Sequence, residues 1–473
     1  MRHYRTGRFA GWALVTGCIL AWVTALGAAD DRNNSQAAST PADAPAAKSE
    51  AAKPDGPLKI VAGPMFTPDS PNTITMWIQT NRPGDLRGEA MPLDPAKGNA
   101  PYEPGKQVGT LTTLAADHHV GVMRFMYVPG RRYTVSVFAG QEKTPLVTTE
   151  YGAPPRPGQP GKYRLMYGSC SNQEKRKKQP IWKVVAAHKP DLFLFIGDNM
   201  YLPMTEAQFP KTREGVRALY RDTYDSERRK PEMQPVLRTT MSYALWDDHD
   251  FGPNNSDRTW KWADIALESL LHYFPNNYGL PDTPGCFHRF AWGDIDVFML
   301  DDRTYRDPND DPKRKTFLGE KQLAWLKEGL AASKATFKLV VCGNEILAEG
   351  HPHESWGTQF KPERDAFLDW IWDKKLTGVI FLSGDRHFAE LTRMRDPQGR
   401  GPDLWDLTSS PLANDPFLAG PELKNAGRVA SYAWGANVGE LEFDTTASPP
   451  RVTLRVLDKK DKVVIEQVVT TTK

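Results

Sequence analysis

The sequence predicts a layered α/β domain that follows a small all-β sandwich, and three observations support this. After residue 162, apolar runs of strand length alternate with amphipathic stretches of helix length, a pattern typical of α/β folds. Residues 57–151 instead contain short alternating runs separated by Pro/Gly turns, as in β-sandwiches. The Pro/Gly-rich stretch 152–161 lies between them and predicts a domain boundary.

The overall composition is that of a globular protein with a full core. Of 473 residues, 40 % are hydrophobic and 25 % are charged. Lysine plus arginine number 60 and aspartate plus glutamate 58, so the net charge is +2. This small excess of positive charge argues against a protein that binds nucleic acid through bulk charge.

The first 29 residues have the pattern of a secretory signal peptide. Three arginines precede an uncharged run, residues 9–29, that ends in small residues. Two alternatives stay open: a membrane anchor, since the run is long enough to span a bilayer, and lipidation at Cys18, which ends a lipobox-like Val-Thr-Gly-Cys sequence. Cleavage would leave no stable membrane span and would change the net charge from +2 to −1, because residues 1–29 contain three arginines and no acids.

The cysteines are too few for a disulfide framework, since the chain has four. Removing the signal would leave Cys170, Cys286 and Cys342. Because this number is odd, at least one thiol has no intramolecular disulfide partner. We expect Cys286 and Cys342 to be buried and inert.

The segment before the α/β part divides into a tether and a β-rich region. Residues 30–56 have almost no large apolar side chain, which predicts a flexible linker because too little surface can be buried to offset the entropy of ordering. In residues 57–151, runs such as 73–79, 122–128 and 133–138 alternate in strand fashion. These runs predict the N-terminal β-sandwich domain.

From residue 162 to 473 the pattern predicts one α/β domain with additional strands near its C-terminus. Continuous apolar runs between helices indicate buried parallel strands. The predicted helices are Pro180–His188, Thr259–Phe274, Gly319–Ala332 and Pro362–Lys374. The predicted strands are Arg164–Gly168, Leu192–Ile196, Tyr243–Trp246, Val297–Leu300, Leu339–Val341 and Val379–Leu382.

Reactive side chains follow all six of these strands. In layered α/β folds the carboxyl ends of the strands converge on one edge, where ligands bind, so we expect these residues to share a site. The six sequences are Ser169–Gln173, Gly197–Tyr201, Asp247–Asn255, Asp301–Arg306, Cys342–Glu345 and Ser383–His387.

The chemistry of this set points to more than one metal ion. Asp198, Asp248 and Asp385 would repel one another at contact distance, and a bound cation removes that repulsion. Carboxylate and Asn oxygens favour hard cations, whereas the Cys170 thiolate, the Tyr201 phenolate and His favour a transition metal such as iron. Clustered metals activate water for in-line displacement.

Two arginines complete the predicted edge. Arg303 and Arg306 lie three residues apart in one loop and can clamp the non-bridging oxygens of a phosphoryl group. The alternative is that they pair with Asp301 and Asp302. With the metals, the edge suits metal-assisted hydrolysis of a phosphate ester.

Four spaced motifs resemble those of the PhoD-like alkaline phosphatases, a branch of the metallophosphoesterases. They are Gly-Asp-x-x-Tyr at 197–201, Trp-Asp-Asp-His-Asp at 246–250 with the Asn pair at 254–255, Leu-Asp-x-Arg-x-x-Arg at 300–306 and Gly-Asp-x-His at 384–387. The sequences at 168–171 and 408–412 resemble the first and a late motif of that family. The resemblance covers residues 162 to about 445.

The resemblance implies a fold, a set of cofactors and a setting. The fold is a metallophosphoesterase-like two-sheet sandwich flanked by helices, as in purple acid phosphatases. The activity is hydrolysis of phosphomonoesters, and often phosphodiesters, outside the cytoplasm with iron (Fe3+) and calcium (Ca2+). Two other functions stay open: a phosphodiesterase or phospholipase on the same site, and a non-catalytic exported module that binds polyanions or carbohydrate.

The resemblance also implies roles for individual residues, carried over motif by motif. It assigns to iron Cys170, Asp198, Tyr201 and Asp385, with Asp198 bridging to the second metal. It places Asp248 and Asn255 on the calcium side, and His387 as a ligand or as a residue that orients one. In the wider superfamily a His beside the metal-binding Asn protonates the leaving group, which gives that role to His249.

Overall fold

The computed structural model describes residues 56–94, 100–101, 105–310, 315–350, 354–417 and 424–472. The predicted signal peptide, its two alternatives and residues 30–55 of the predicted linker lie outside these residues. Within the part that is described, no helix combines the length and the apolar character needed to cross a membrane.

Strands make up most of the regular structure. They are β1 (Ile60–Ser70), β2 (Thr73–Thr80), β3 (Gly84–Asp94), β4 (Ala100–Pro101), β5 (Gln107–Thr113), β6 (Val120–Met126), β7 (Arg132–Ala139), β8 (Pro145–Gly152), β9 (Lys162–Gly168), β10 (Leu192–Ile196), β11 (Met241–Leu245), β12 (His288–Trp292), β13 (Ile295–Met299), β14 (Phe337–Val341), β15 (Val379–Ser383), β16 (Ala389–Met394), β17 (Leu404–Thr408), β18 (Arg428–Tyr432), β19 (Asn437–Asp444), β20 (Arg451–Asp458) and β21 (Val463–Thr470).

The helices lie mainly between the strands of the α/β part. They are α1 (Ile181–His188), α2 (Arg213–Arg228), α3 (Gln234–Thr239), α4 (Asp248–Phe251), α5 (Ala263–Tyr273), α6 (Glu320–Ala332), α7 (Trp356–Gln359) and α8 (Lys361–Asp373). The four predicted helices correspond to α1, α5, α6 and α8, and the largest difference is that α5 begins four residues later than predicted.

Two large sheets form the centre of the fold. One has nine strands in the order β21-β20-β19-β9-β10-β11-β1-β2-β6, and the other has seven in the order β12-β13-β14-β15-β17-β16-β18. Strands β9, β10 and β11 are parallel in the first sheet, and β13, β14, β15 and β17 are parallel in the second. The predicted α/β fold class is confirmed.

Alternation along the second sheet explains its position between two layers. In β13, Val297 and Met299 belong to the apolar cluster shared with the nine-stranded sheet. Phe298 points to the opposite face and joins a second cluster with Leu326 of α6 and Phe367 of α8. Because side chains alternate across a strand, this sheet packs on the other sheet with one face and on helices with the other.

The N-terminal region is all-β, as predicted, but its strands are shared between sheets. Strands β1, β2 and β6 continue the nine-stranded sheet, and β1 pairs directly with β11. The remaining strands, β3, β4, β5, β7 and β8, form a separate five-stranded sheet. The boundary proposed at 152–161 therefore does not separate the sheets, and the division into two domains stays a prediction.

Helix α2 is not among the helices that the sequence predicts. Its 16 residues are strongly charged. Val216, Tyr220 and Tyr224 form an apolar buried stripe at intervals of four, and the polar residues Thr223, Asp225, Glu227 and Arg228 are buried beside it. The Thr212 side chain caps it by accepting a hydrogen bond from the Gly215 amide at 3.1 Å. The stripe is the signal that a search for helical periodicity could use.

Candidate metal centre and active site

Strand ends from both large sheets meet at a cavity of about 560 Å³. Strands β9, β10 and β11 run parallel and in register, so the residues that follow them, Cys170, Asp198 and Asp248, come together. Strand β15 brings Asp385 and His387 from the other sheet. The shared site that the strand ends predict is thus formed by two facing sheets.

Cys170, Asp198, Tyr201 and His387 form one group of metal-type donors. The Cys170 Sγ lies 3.4 Å from Asp198 Oδ2. The Tyr201 hydroxyl donates to the same oxygen at 2.8 Å and lies 3.0 Å from His387 Nε2. Ligand atoms of Cys170, Asp198 and His387 lie within 4.8 Å of one another, so a single ion can contact all three. Sulfur, imidazole and phenol donors suit a transition metal.

Asp198 also belongs to a second group, in which carboxylates predominate. Ligand atoms of Asp198, Asp248 and His249 lie within 4.8 Å of one another. The same holds for Asp247, Asp248 and Asp385. Oxygen donors of this kind suit a hard cation. Asp198 is therefore common to both kinds of donor group.

The backbone of the site is held in an unusual conformation. Five of the predicted metal ligands have positive φ angles, between 49° and 66°, in the left-handed region. Non-glycine residues in this region cost of order 1 kcal/mol or more and cluster at functional sites. The five are Cys170, Asp198, Asn255, Asp385 and His387.

Burial and mutual repulsion oppose ionisation of the carboxyl groups. Burial, followed by the charges of Asp248 and Asp250, raises the pKa of Asp198 well above its usual range. Burial also raises the pKa of Asp385 to about 7 and the pKa of the Cys170 thiol well above its usual range. Because a bound cation reverses these penalties, the donor set fits metal ions of the kinds described above.

Asp248 is held in its charged form by its neighbours. Burial disfavours the charge, but His249, Arg303 and the Asn255 amide together lower the pKa of Asp248. The Asn255 amide donates to Asp248 Oδ2 at 2.6 Å, while the Asn255 side chain is exposed at the cavity. The predicted ligand Asn255 therefore contacts Asp248 through its backbone and leaves its side-chain oxygen available.

The two histidines of the motifs lie on the cavity wall. The His249 ring stacks on Tyr201 with centroids 4.3 Å apart, and its buried Nδ1 makes no hydrogen bond with any residue that the structure describes. Burial, followed by the charges of His249 and Arg386, lowers the pKa of His387 to about 4. His387 is therefore neutral at physiological pH, the form in which imidazole binds metals.

The two predicted phosphate-clamping arginines lie behind the cavity and do not line it. Arg303 is fully buried, pairs with Asp247, and its Nη1 lies 3.0 Å from Glu354 Oε2. Arg306 is equally buried, and its Nη2 lies 2.8 Å from Glu354 Oε1. Both guanidinium groups form ion pairs with buried carboxylates, which need a charged partner to offset their burial. Neither arginine is among the described residues that line the cavity, and their contact with phosphate stays a prediction.

Three residues that the sequence did not single out complete the site. Asp247 joins a carboxylate group, and Glu354 and Arg386 line the cavity. Asp247 and Arg386 lie inside the quoted motifs, so their position beside motif residues is a usable signal. Glu354 follows no predicted strand, and only its two arginine partners in space identify it.

Cys286 and Cys342 are buried and free, as predicted. Cys170 is also free. All three thiols that would remain after signal removal are therefore without disulfides.

Comparisons with known proteins identify the family and the fold of this chain. The sequence profile of the PhoD-like phosphatase family matches residues 165–448. The structure is similar to the solved structure of PhoD, with a TM-score of 0.67, 16 % identity and coverage of 86 % of this chain and 92 % of that one. It also resembles purple acid phosphatase PPD1 from yellow lupin (Lupinus luteus) seeds, with a TM-score of 0.59, 11 % identity and coverage of 86 % and 74 %.

A search of curated protein sequences found no match. The two structural similarities confirm the metallophosphatase-like fold. The family profile covers more than half of the chain and includes all four motifs that carry the site residues. The chain therefore belongs to the PhoD-like phosphatase family and is a metal-dependent hydrolase of phosphoric esters.

Proposed function

We propose that this chain is an exported hydrolase of phosphomonoesters, with phosphodiesters as further substrates, that uses iron and calcium. Cys170, Asp198, Tyr201 and His387 would hold iron, and Asp248 and Asn255 would serve calcium. Asp385 would also hold iron by the resemblance, while the ligand atoms of its carboxylate lie within 4.8 Å of those of Asp247 and Asp248. The observation that carries this proposal is the position of Asp198, which lies within 4.8 Å of sulfur and imidazole donors in one group and of a carboxylate in another.

The chain's own residues position the reacting groups. When bound, the metal ions supply the Lewis acidity that turns a water molecule into the nucleophile. The amides of His249 and Asn255 fix the two oxygens of Asp248, at 2.9 Å and 2.6 Å. Arg303 and Arg306 hold Asp247 and Glu354 in place instead of contacting phosphate.

His249 is the proposed general acid. It lies on the cavity wall and is 6 % exposed, and stacking on Tyr201 fixes the plane of its ring. A proton delivered to the leaving oxygen matters most when that oxygen leaves as a poor anion. The acid role therefore predicts a dependence on the leaving group.

His249→Gln is expected to lower kcat for an alkyl phosphate by about 10²- to 10⁴-fold. For p-nitrophenyl phosphate, whose leaving group needs little protonation, the loss should be much smaller. Steady-state kinetics with both esters on one preparation measure the difference, so the nitrophenyl ester is the internal control. Equal losses with both esters would exclude His249 as the acid.

Hydrolysis assays on the purified protein test the activity and separate it from the alternatives. We expect turnover of p-nitrophenyl phosphate, slower turnover of bis(p-nitrophenyl) phosphate, and loss of both on chelation. Faster turnover of the diester would favour the phosphodiesterase alternative. Release of a head group from phospholipid vesicles would favour the phospholipase alternative. If no ester is hydrolysed with metals present, the non-catalytic binding module is the alternative that remains.

Export is the part of the proposal that depends on residues 1–29. The signal-like pattern of these residues supports it. The intact mass of the protein recovered outside the cytoplasm should correspond to a chain that begins near Asp30. A mass that includes residues 1–29 would favour the membrane anchor. A mass that includes acyl chains on Cys18 would favour the lipoprotein.

A further inference from the structure

The cavity wall is strongly acidic. Five carboxylates line it: Asp198, Asp248, Asp310, Glu354 and Asp385. Among the described lining residues, Arg386 is the single arginine or lysine. A phosphate ester is an anion, so apart from any bound metal its oxygens meet one fixed positive charge on this wall.

Within the part of the chain that the structure describes, the Arg386 guanidinium makes one ion pair, from Nη1 to Asp385 Oδ2 at 3.5 Å, which is a long contact. Its Nε is buried and has no hydrogen-bond partner among the same residues. The guanidinium carbon lies 5.9 Å from the centroid of the Phe417 ring. By contrast, Arg303 and Arg306 share Glu354 in short contacts behind the wall.

The backbone fixes where Arg386 stands. It lies between Asp385 and His387, whose φ angles of 66° and 55° form a tight turn directly after β15. The Arg386 amide donates to the Gly384 carbonyl at 2.8 Å within this turn. The side chain is 11 % exposed, so it is confined at the wall while part of it stays open to the cavity.

We propose that Arg386 is a catalytic residue that binds two non-bridging oxygens of the substrate's phosphate group. The inference rests on the proposed function and adds the anion-binding group that the acidic wall otherwise lacks. A guanidinium offers parallel N–H donors that match two phosphate oxygens, and a lysine ammonium does not. The same contact holds inorganic phosphate, the product of monoester hydrolysis.

Three variants test this assignment: Arg386→Ala, Arg386→Lys and the control Arg395→Ala. Arg395 is an exposed arginine nine residues further along that does not line the cavity. The measurements are KM and kcat for p-nitrophenyl phosphate, the inhibition constant of inorganic phosphate, and the metal content of each protein.

We expect Arg386→Ala to raise both KM and the phosphate inhibition constant by about 10- to 100-fold, with metal content retained. Added guanidinium ion should restore part of the loss, Arg386→Lys should fall between Ala and the parent protein, and Arg395→Ala should match the parent. If Arg386 had only a structural role, added guanidinium ion would not restore KM or phosphate inhibition in Arg386→Ala.

Two results would overturn the inference. One is an Arg386→Ala protein whose KM and phosphate inhibition match the parent. The other is loss of metal from that variant, which would place Arg386 in support of Asp385. If the parent protein hydrolyses no phosphate ester, the proposed function itself fails, which is a different outcome from either.

Discussion

Asp198→Ala is expected to abolish phosphate ester hydrolysis and to remove bound metal. Asp198 is 1 % exposed, and its carboxylate lies between the Cys170 thiol and the Asp248 group. It also accepts hydrogen bonds from the Tyr201 hydroxyl and the His249 amide. Losing this proposed ligand of both metal ions removes several kcal/mol of charge stabilisation, so kcat/KM should fall by about 10³-fold or more.

Cys170→Ala should lower hydrolysis to a comparable extent, and the metal that this variant loses should be the transition metal. A chromogenic phosphate ester and elemental analysis measure both variants. Asp222→Ala is the control, because the Asp222 side chain is 73 % exposed and does not line the cavity. Activity retained at the parent level in either site variant would refute the proposed ligand set.

Arg303→Met is expected to cause the largest loss of stability. The change leaves Asp247, which is 1 % exposed, without its cation and deprives Glu354 of one of two arginine partners. Removing one partner of a buried ion pair costs about 3–5 kcal/mol because a charge stays buried without compensation. Methionine keeps most of the side-chain volume, so a cavity adds little to this loss.

Urea denaturation of chelated samples measures this effect without a contribution from bound metal. Arg213→Met is the matched control, since Arg213 and its partner Asp264 are 44 % and 57 % exposed. An exposed pair of this kind is worth about 1 kcal/mol or less. A loss for Arg303→Met no greater than that of the control would show that the buried arginine does not stabilise the site.

The sequence predicted the elements that create the site because strand ends impose a strong local pattern. Continuous apolar strands followed by polar residues identified the loops at Cys170, Asp198, Asp248 and Asp385, and parallel topology required these loops to converge. The four helices α1, α5, α6 and α8 were predicted as well. Helix α2 was not, because its buried face includes polar and charged residues such as Thr223, Asp225 and Glu227, which interrupt the apolar pattern.

The pairing of charged groups could not be predicted in the same way. Arg303 and Arg306 have the spacing of a phosphate clamp, yet both form ion pairs with Glu354, which lies far along the chain. Whether an arginine faces a ligand or a buried carboxylate depends on contacts between distant segments. The sequence therefore indicated the chemistry of the site, while the structure places Arg386, and neither Arg303 nor Arg306, on the cavity wall.

The N-terminal strands show the same limit. Alternation predicted β2, β6 and β7 correctly, but the pattern does not encode which sheet a strand joins. The pairing of β1 with β11 links residues 66 and 241. Such long-range pairing follows from the way the apolar faces pack together and not from local periodicity.

The most direct test is elemental analysis of the active protein, with ester hydrolysis assayed on the same sample before and after chelation. We expect iron and calcium at near-stoichiometric levels, loss of hydrolysis when they are removed, and recovery when they are restored. Full hydrolytic activity in protein that contains neither iron nor calcium would contradict the proposed centre.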